Sequence, residues 1–255
     1  MLDWLFAPSC PCDVAAKEWV EERLDWLASE FDDSAFTGRR IVLPTREFFP
    51  DPYDGSEDSV RVLLERVCGY MDAIPDLIDL EYLSNPGNGD FQLVNESGHA
   101  IPTGAVGTFE EVDGRFVIRL DRTSLGDAMN LVGTMAHELA HTRLLGENRI
   151  WQDAFDNEIL TDLPVVHFGL GSFVANSPRN WDGQYTHWPE TDLLKPEYMT
   201  PPMFGWALAH LAWFRGESKP EWAKYLNSAA RANMKQGLRY LFATGDSTYT
   251  PMKLR

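Results

Sequence analysis

Two histidines four residues apart, His137 and His141, enclose a glutamate, Glu138, in the string HELAH. On a helix, residues four apart project from one face a turn from one another, which is how two imidazoles can share one metal ion. Glu138 lies about 100° round from His137, near enough to hold a metal-bound water without ligating the ion. That set of groups suits zinc-assisted hydrolysis. The surrounding segment, LGDAMNLVGTMAHELAHTRLLGE, is apolar nearly all round (Leu131, Val132, Met135, Leu139, Leu144, Leu145), which predicts a buried helix. Three ionisable groups within five residues of such a helix are costly without a metal or dedicated partners. The plainer alternative is a pair of buried histidines satisfied by neighbouring carboxylates.

A zinc hydrolase needs a third protein ligand and an open fourth position. The metzincin extension would put Gly and His three and six residues after His141, where this chain has Leu144 and Glu147. Further on comes DNEILTDL, with Glu158 seventeen residues after His141. These two motifs resemble those of the gluzincins, the thermolysin-like zinc peptidases, whose second helix carries an Asn-Glu-x-x-Ser-Asp signature. Here the string reads Asn157, Glu158, Ile159, Leu160, Thr161, Asp162, with Thr161 keeping the hydroxyl of the usual serine. The resemblance spans residues 137–175. It implies a zincin-like fold, one Zn2+ per chain held by His137, His141 and Glu158, an Asp162 that accepts a hydrogen bond from one histidine, and an Asn157 that supports the other. No Gly-Ala-Met-Glu-Asn aminopeptidase signature is present, so neither substrate nor cleavage mode is named. The chain is also similar to uncharacterised bacterial proteins with the same zinc helices.

Helical spacing agrees independently, since Glu158 and Asp162 share a face that Val165 and Gly169 continue. Gly169 is expected to let the two zinc helices approach closely. The rival ligand His167 falls on the opposite side at about 100° per residue and reads as a capped or surface histidine. Glu147, Asp153 and Asp156 are weaker candidates because no helix directs them.

The function implied is a zinc-dependent metallopeptidase in which Glu138 is the general base. The strand 115–120 precedes the metal helix and is expected to offer its edge to an extended peptide or protein substrate. An oxyanion donor is expected from outside the metal helix: Tyr198 first, then His187 and His210, although His210 in ALAHLAWF also reads as a core histidine. A non-catalytic zincin-like protein, whose metal staples two helices beside a binding cleft, is the rival. Glu138 weighs against it, because a structural site has no use for a carboxylate beside the metal. A zinc hydrolase acting on something other than peptide would use the same residues. Cys10-Pro11-Cys12 lacks a second cysteine pair and reads as ordinary thiols.

These groups must be positioned by an α+β chain. A helix is expected over 17–31, with Val20, Leu24, Leu27 and Phe31 on one face. The segment after Gly38 (RRIVLP) reads as a strand. Ser56 caps a helix burying Val60, Leu63, Leu64, Val67 and Met71. A strand at 77–83 closes in NPGNGD, and 104–120 reads as a hairpin about Asp113-Gly114. From Thr123 onward helices dominate, at 124–145, 155–174, 203–215 and 219–243, with the last starting near Ser218 or Lys219 before Pro220. The connection 176–202 is long and aromatic, with Trp181, Tyr185, His187, Trp188 and Tyr198. The expected plan is a mixed lobe (1–123) and a helical lobe (124–255), forming one catalytic unit with the metal helix between them.

Composition sets the outer limits. The 255 residues carry 39 acidic against 22 basic side chains, a formal net charge of -17. That field repels a phosphate backbone and an anionic membrane surface, so neither nucleic acid nor membrane is an expected partner. No apolar run approaches the roughly 20 residues of a spanning helix, and three cysteines are too few for a disulfide framework. A soluble cytoplasmic protein is the expectation, and nothing in the chain specifies its oligomeric state.

Overall fold

The structure, a computed structural model, describes residues 8–32, 35–83, 107–112, 114–177 and 185–250. The NPGNGD turn, the start of the expected hairpin at 104–106, Asp113 and Trp181 lie outside the described residues.

Helix α1 (Val14–Leu27) starts where the Asp13 carboxylate accepts the Ala16 N–H at 2.9 Å, satisfying one of the donors a helix start leaves open. It buries Trp19, Val20, Leu24 and Leu27 and runs into a π-helical turn, Ala28–Asp32. A short helix α2 (Ala35–Gly38) follows. Residues 39–44, expected as a strand, pair with no described strand. Instead the Val42 N–H donates to Gly169 O at 2.9 Å. Helix α3 (Glu57–Met71) is capped by Ser56 and buries the expected stripe of Val60, Leu63, Leu64, Val67 and Met71.

Three strands form the larger sheet: β1 (Ile78–Leu83), β2 (Gly107–Val112) and β3 (Arg115–Asp121), in the order β1-β3-β2. β1 runs parallel to β3 from Ile78↔Phe116 to Leu83↔Asp121, and β2 pairs antiparallel with it from Val112↔Arg115 to Gly107↔Leu120. The strand 115–120, expected to offer a free edge to substrate, is therefore the centre of the sheet. Its residue types explain why. Phe116, Val117, Ile118 and Leu120 are all buried, and a strand so apolar is stable only when flanked and covered. Arg119, on its polar side, reaches both neighbours, pairing with Glu81 at 2.8 Å and Glu110 at 2.6 Å.

Helix α4 (Ala128–His141) carries HELAH and passes into a π-helical turn, Thr142–Gly146. The expected helix over 155–174 is two helices, α5 (Asn157–His167) and α6 (Gly171–Asn176). They break at Gly169, whose φ of +88° suits only glycine. A Cβ at Gly169 would lie 2.5 Å from Arg40 O. The close approach this glycine permits is thus to the 40–42 segment, not to α4. The long aromatic connection contains a small hairpin, β4 (Tyr185–His187) and β5 (Leu194–Pro196). Helix α7 (Pro201–Phe214) holds two prolines in its first turn. The last helix, α8 (Ser228–Thr244), starts later than expected because Asn227 caps it, while Pro220 opens only the 3-10 turn Glu221–Tyr225.

The class is α+β. One hydrophobic core runs across residue 123, with α1 packed on α5 and α7 and α3 on α4. Among the described residues no helix is long and apolar enough to cross a membrane.

Candidate metal centre

The candidate metal centre lies where α4 meets α5 and α6. Gly133, one turn before the first histidine, has no room for a side chain: a Cβ would stand 2.6 Å from Ser177 Oγ and 3.2 Å from Phe173 O. This brings the chain around α6 against α4. On the next turns of α4, His137, Glu138 and His141 are only 8%, 5% and 6% exposed. Glu158, in the first turn of α5, faces both imidazoles. Its Oε2 stands 3.8 Å from His137 Nε2 and 3.7 Å from His141 Nε2.

Among the described residues, His137, His141 and Glu158 form the group able to hold a metal ion, with all three ligand atoms within 4.8 Å of one another. Tetrahedral zinc with ligand bonds near 2.1 Å wants its ligands about 3.4 Å apart. Distances of 3.7 and 3.8 Å exceed that by a few tenths of an ångström.

The outer ring nitrogens decide whether the inner ones are free to ligate. His137 Nδ1 lies 3.0 Å from Asp162 Oδ1. An ionised carboxylate only accepts, so Nδ1 carries the proton and Nε2 keeps its lone pair. His141 Nδ1 lies 3.3 Å from Thr161 Oγ1, and that hydroxyl donates its own proton to Asn157 O at 2.8 Å. The hydroxyl oxygen is therefore an acceptor too, and His141 is left in the same tautomer. Both Nε2 atoms point their lone pairs at Glu158, the arrangement that orients ligating histidines. The second histidine's partner is thus Thr161. The Asn157 side chain, expected in that role, donates to Gln152 O at 3.2 Å.

Burial alone would raise the Glu158 carboxyl; with a second proton on Nε2, the charge and hydrogen bonds of the His141 and His137 imidazoles hold it well below the usual carboxylate range. Just before α5, the buried Asp156 accepts from Trp19 Nε1 at 2.8 Å and Arg23 Nε at 2.7 Å. This tie from α1 fixes the start of the helix that presents Glu158. No local signal in the sequence announces it, because the partners are more than 130 residues apart. Glu147, another weak candidate ligand, is committed to Arg143 and Arg149.

Tyr198 is brought to the centre, its ring 5.8 Å from that of His137 at a tilt of 56°. The other two donor candidates are not. His187 is exposed on β4. His210 is fully buried between α7 and the chain end, with Nδ1 3.0 Å from Trp206 O and Nε2 2.9 Å from Ser247 Oγ. His167 lies away from the ligands, as its angle on the helix implies. It is not a surface residue, however. It is 1% exposed, with the rings of Phe36, Phe168 and Phe31 at 4.8, 5.3 and 5.8 Å. Phe31 and Phe36, from the segment that follows α1, cover that face of α5.

Comparison with protein-family models, curated proteins and solved structures finds no match for this chain.

Proposed function

We propose that this protein is a zinc-dependent hydrolase of the gluzincin type with a zincin-like fold, acting on peptide bonds. The observation that carries the reading is the convergence of His137 Nε2, His141 Nε2 and Glu158 Oε2, with both histidine Nδ1 protons already engaged. When bound, zinc supplies Lewis acidity, polarising a carbonyl and acidifying water. Glu138, beside the first ligand and outside the ligand group, takes a proton from the attacking water and returns it to the leaving nitrogen, a role worth ~10²–10⁴ in rate. The Tyr198 hydroxyl donates to the oxyanion that develops on the substrate carbonyl. β2, the strand packed against α4, has no described strand on its outer side. Main-chain pairing along that edge would hold an extended peptide.

The test is zinc content together with Glu138→Gln. Wild type should carry about one zinc per chain after dialysis against a weak chelator, as tightly linked ligand sites do. Glu138→Gln should keep the zinc and the fold and lose turnover of a peptide library. A folded wild type without zinc would end the reading. Zinc without turnover in wild type would favour a metal that only staples α4 to α5.

A further inference from the structure

Lys195 is a buried cation with no part in the chemistry proposed above. It lies on β5, is 8% exposed, and its ammonium donates to Pro196 O at 3.3 Å. Among the described residues it forms no ion pair. An ammonium has three protons to donate, and a cation held out of water without a counter-ion is costly.

The chain on both sides of Lys195 is tied to α5 and the metal centre. On one side, the Trp188 N–H closes the hairpin onto Leu193 O at 3.0 Å, and the Trp188 ring lies 5.7 Å from that of Trp19. Trp19 Nε1 in turn donates to Asp156 at 2.8 Å, two residues before Glu158. On the other side, Tyr198 is three residues beyond Lys195, with its ring 5.8 Å from that of His137. The Met199 N–H then donates to Asp162 Oδ2 at 3.0 Å. Lys195 therefore sits on the stretch that leads from the start of α5 to the ligand group. Burial disfavours its charged form, and the charges of Asp156, Glu197 and Glu158 act the other way. Two of these acids are engaged elsewhere: Asp156 with Arg23 Nε at 2.7 Å, while Glu158 faces the two imidazoles.

Resting on the metallopeptidase reading above, we propose that Lys195 is a specificity-determining residue that binds a carboxylate of the substrate, selecting peptides with a negative charge close to the scissile bond. The chain as a whole carries -17, so an anionic group is favoured only by a local cation and not by the overall field. With little water to compete, a charge-assisted hydrogen bond to the ammonium is strong. The carboxylate belongs either to the free C-terminus or to an Asp or Glu side chain, and the contact is chemically the same.

The test uses the zinc-loaded full chain and short random peptides in three forms: free C-terminal acids, plain C-terminal amides, and amides carrying Asp or Glu. Turnover is followed by mass spectrometry, and binding by calorimetry on Glu138→Gln. Wild type should favour a carboxylate-bearing form over the plain amides by ~10–100-fold in kcat/KM, the value of a hydrogen bond to a charged group. Preference for the free acids identifies the C-terminus, and preference for the acidic amides identifies the side chain. Lys195→Met should bring the ratio towards unity, chiefly through KM. Its zinc content and urea midpoint should match or exceed those of wild type, because an apolar chain in place of a buried, unpaired cation is neutral or stabilising. Equal use of all three forms by wild type would overturn the proposal and leave the hydrolase reading intact. A preference that survives Lys195→Met would also overturn it. Carboxylate-selective binding without turnover of any form would instead end the hydrolase reading and leave the Lys195 contact standing.

Discussion

Asp162 on α5 and Met199, just ahead of α7, are joined by a hydrogen bond of 3.0 Å from the Met199 N–H to Asp162 Oδ2. The other oxygen of the same carboxylate accepts from His137 Nδ1 at 3.0 Å. One fully buried side chain therefore sets both a metal-ligand candidate and the backbone beside Tyr198. With no water to compete, each bond is worth more than it would be at the surface.

Asp162→Asn should disturb both contacts, because an amide offers one acceptor oxygen and would turn its NH2 towards an N–H donor. Zinc affinity should fall ~10–100-fold, as changes to the partners of ligands typically do. The Met199 amide should exchange faster with solvent in the same variant. Chelator competition and amide hydrogen exchange measure the two effects. Unchanged values for both would show that the carboxylate is dispensable.

Glu158→Ala should abolish zinc retention through dialysis, leaving two imidazoles too few to hold the ion. His167→Ala should keep its zinc, yet it removes a ring packed among Phe31, Phe36 and Phe168, so about 2–4 kcal/mol of stability should go with it. Metal analysis and urea unfolding on both variants separate the two roles. A zinc-free His167→Ala that remains folded would place the third ligand at His167.

Gly169→Ala should destabilise the fold by about 2 kcal/mol or more, since it combines a strained positive φ with a side chain forced on Arg40 O. The damage should also reach the Val42 to Gly169 hydrogen bond, since the two segments must separate. Chemical denaturation measures the loss. A neutral substitution would mean that residues 40–42 can shift without cost.

His210 should make stability fall in acid. Burial pushes its imidazole down from 6.5 to about 4, partly offset by the Trp206 carbonyl and the charge of Glu21. The unfolded chain therefore binds a proton more readily than the folded one between those two values. The contribution is fully present above about pH 6.5 and is lost on descending towards about pH 4, a span worth about 3 kcal/mol. His210→Gln should flatten that part of the pH–stability curve relative to wild type. A curve of unchanged slope in the variant would assign the acid sensitivity to other groups.

Much of the candidate site was legible because helices encode direction in spacing. Four residues between His137 and His141, and four between Glu158 and Asp162, determined which side chains share a face, whatever those faces meet. The same periodicity identified the buried stripe of α3 and the side of α5 that His167 occupies. It did not reveal that the far side of α5 is also buried, since a helix covered all round differs from a surface one only in what packs on it.

Contacts between distant segments were decided by the tertiary structure alone. The acceptor for His141 turned out to be Thr161 and not Asn157, because the relative placement of α4 and α5, not the motif, selects which hydroxyl or amide arrives. Gly169 serves a neighbouring loop and not the helix pair, and the Asp156 tie to Trp19 and Arg23 joins residues with no local relationship. Strand order is of the same kind. The apolar run of β3 announces a strand, but whether it lies at the edge or the centre of a sheet depends on β1, which reaches it from more than 30 residues away. Local sequence determines where a side chain points on its own element. What it meets there is settled by packing, which is a property of the whole chain at once.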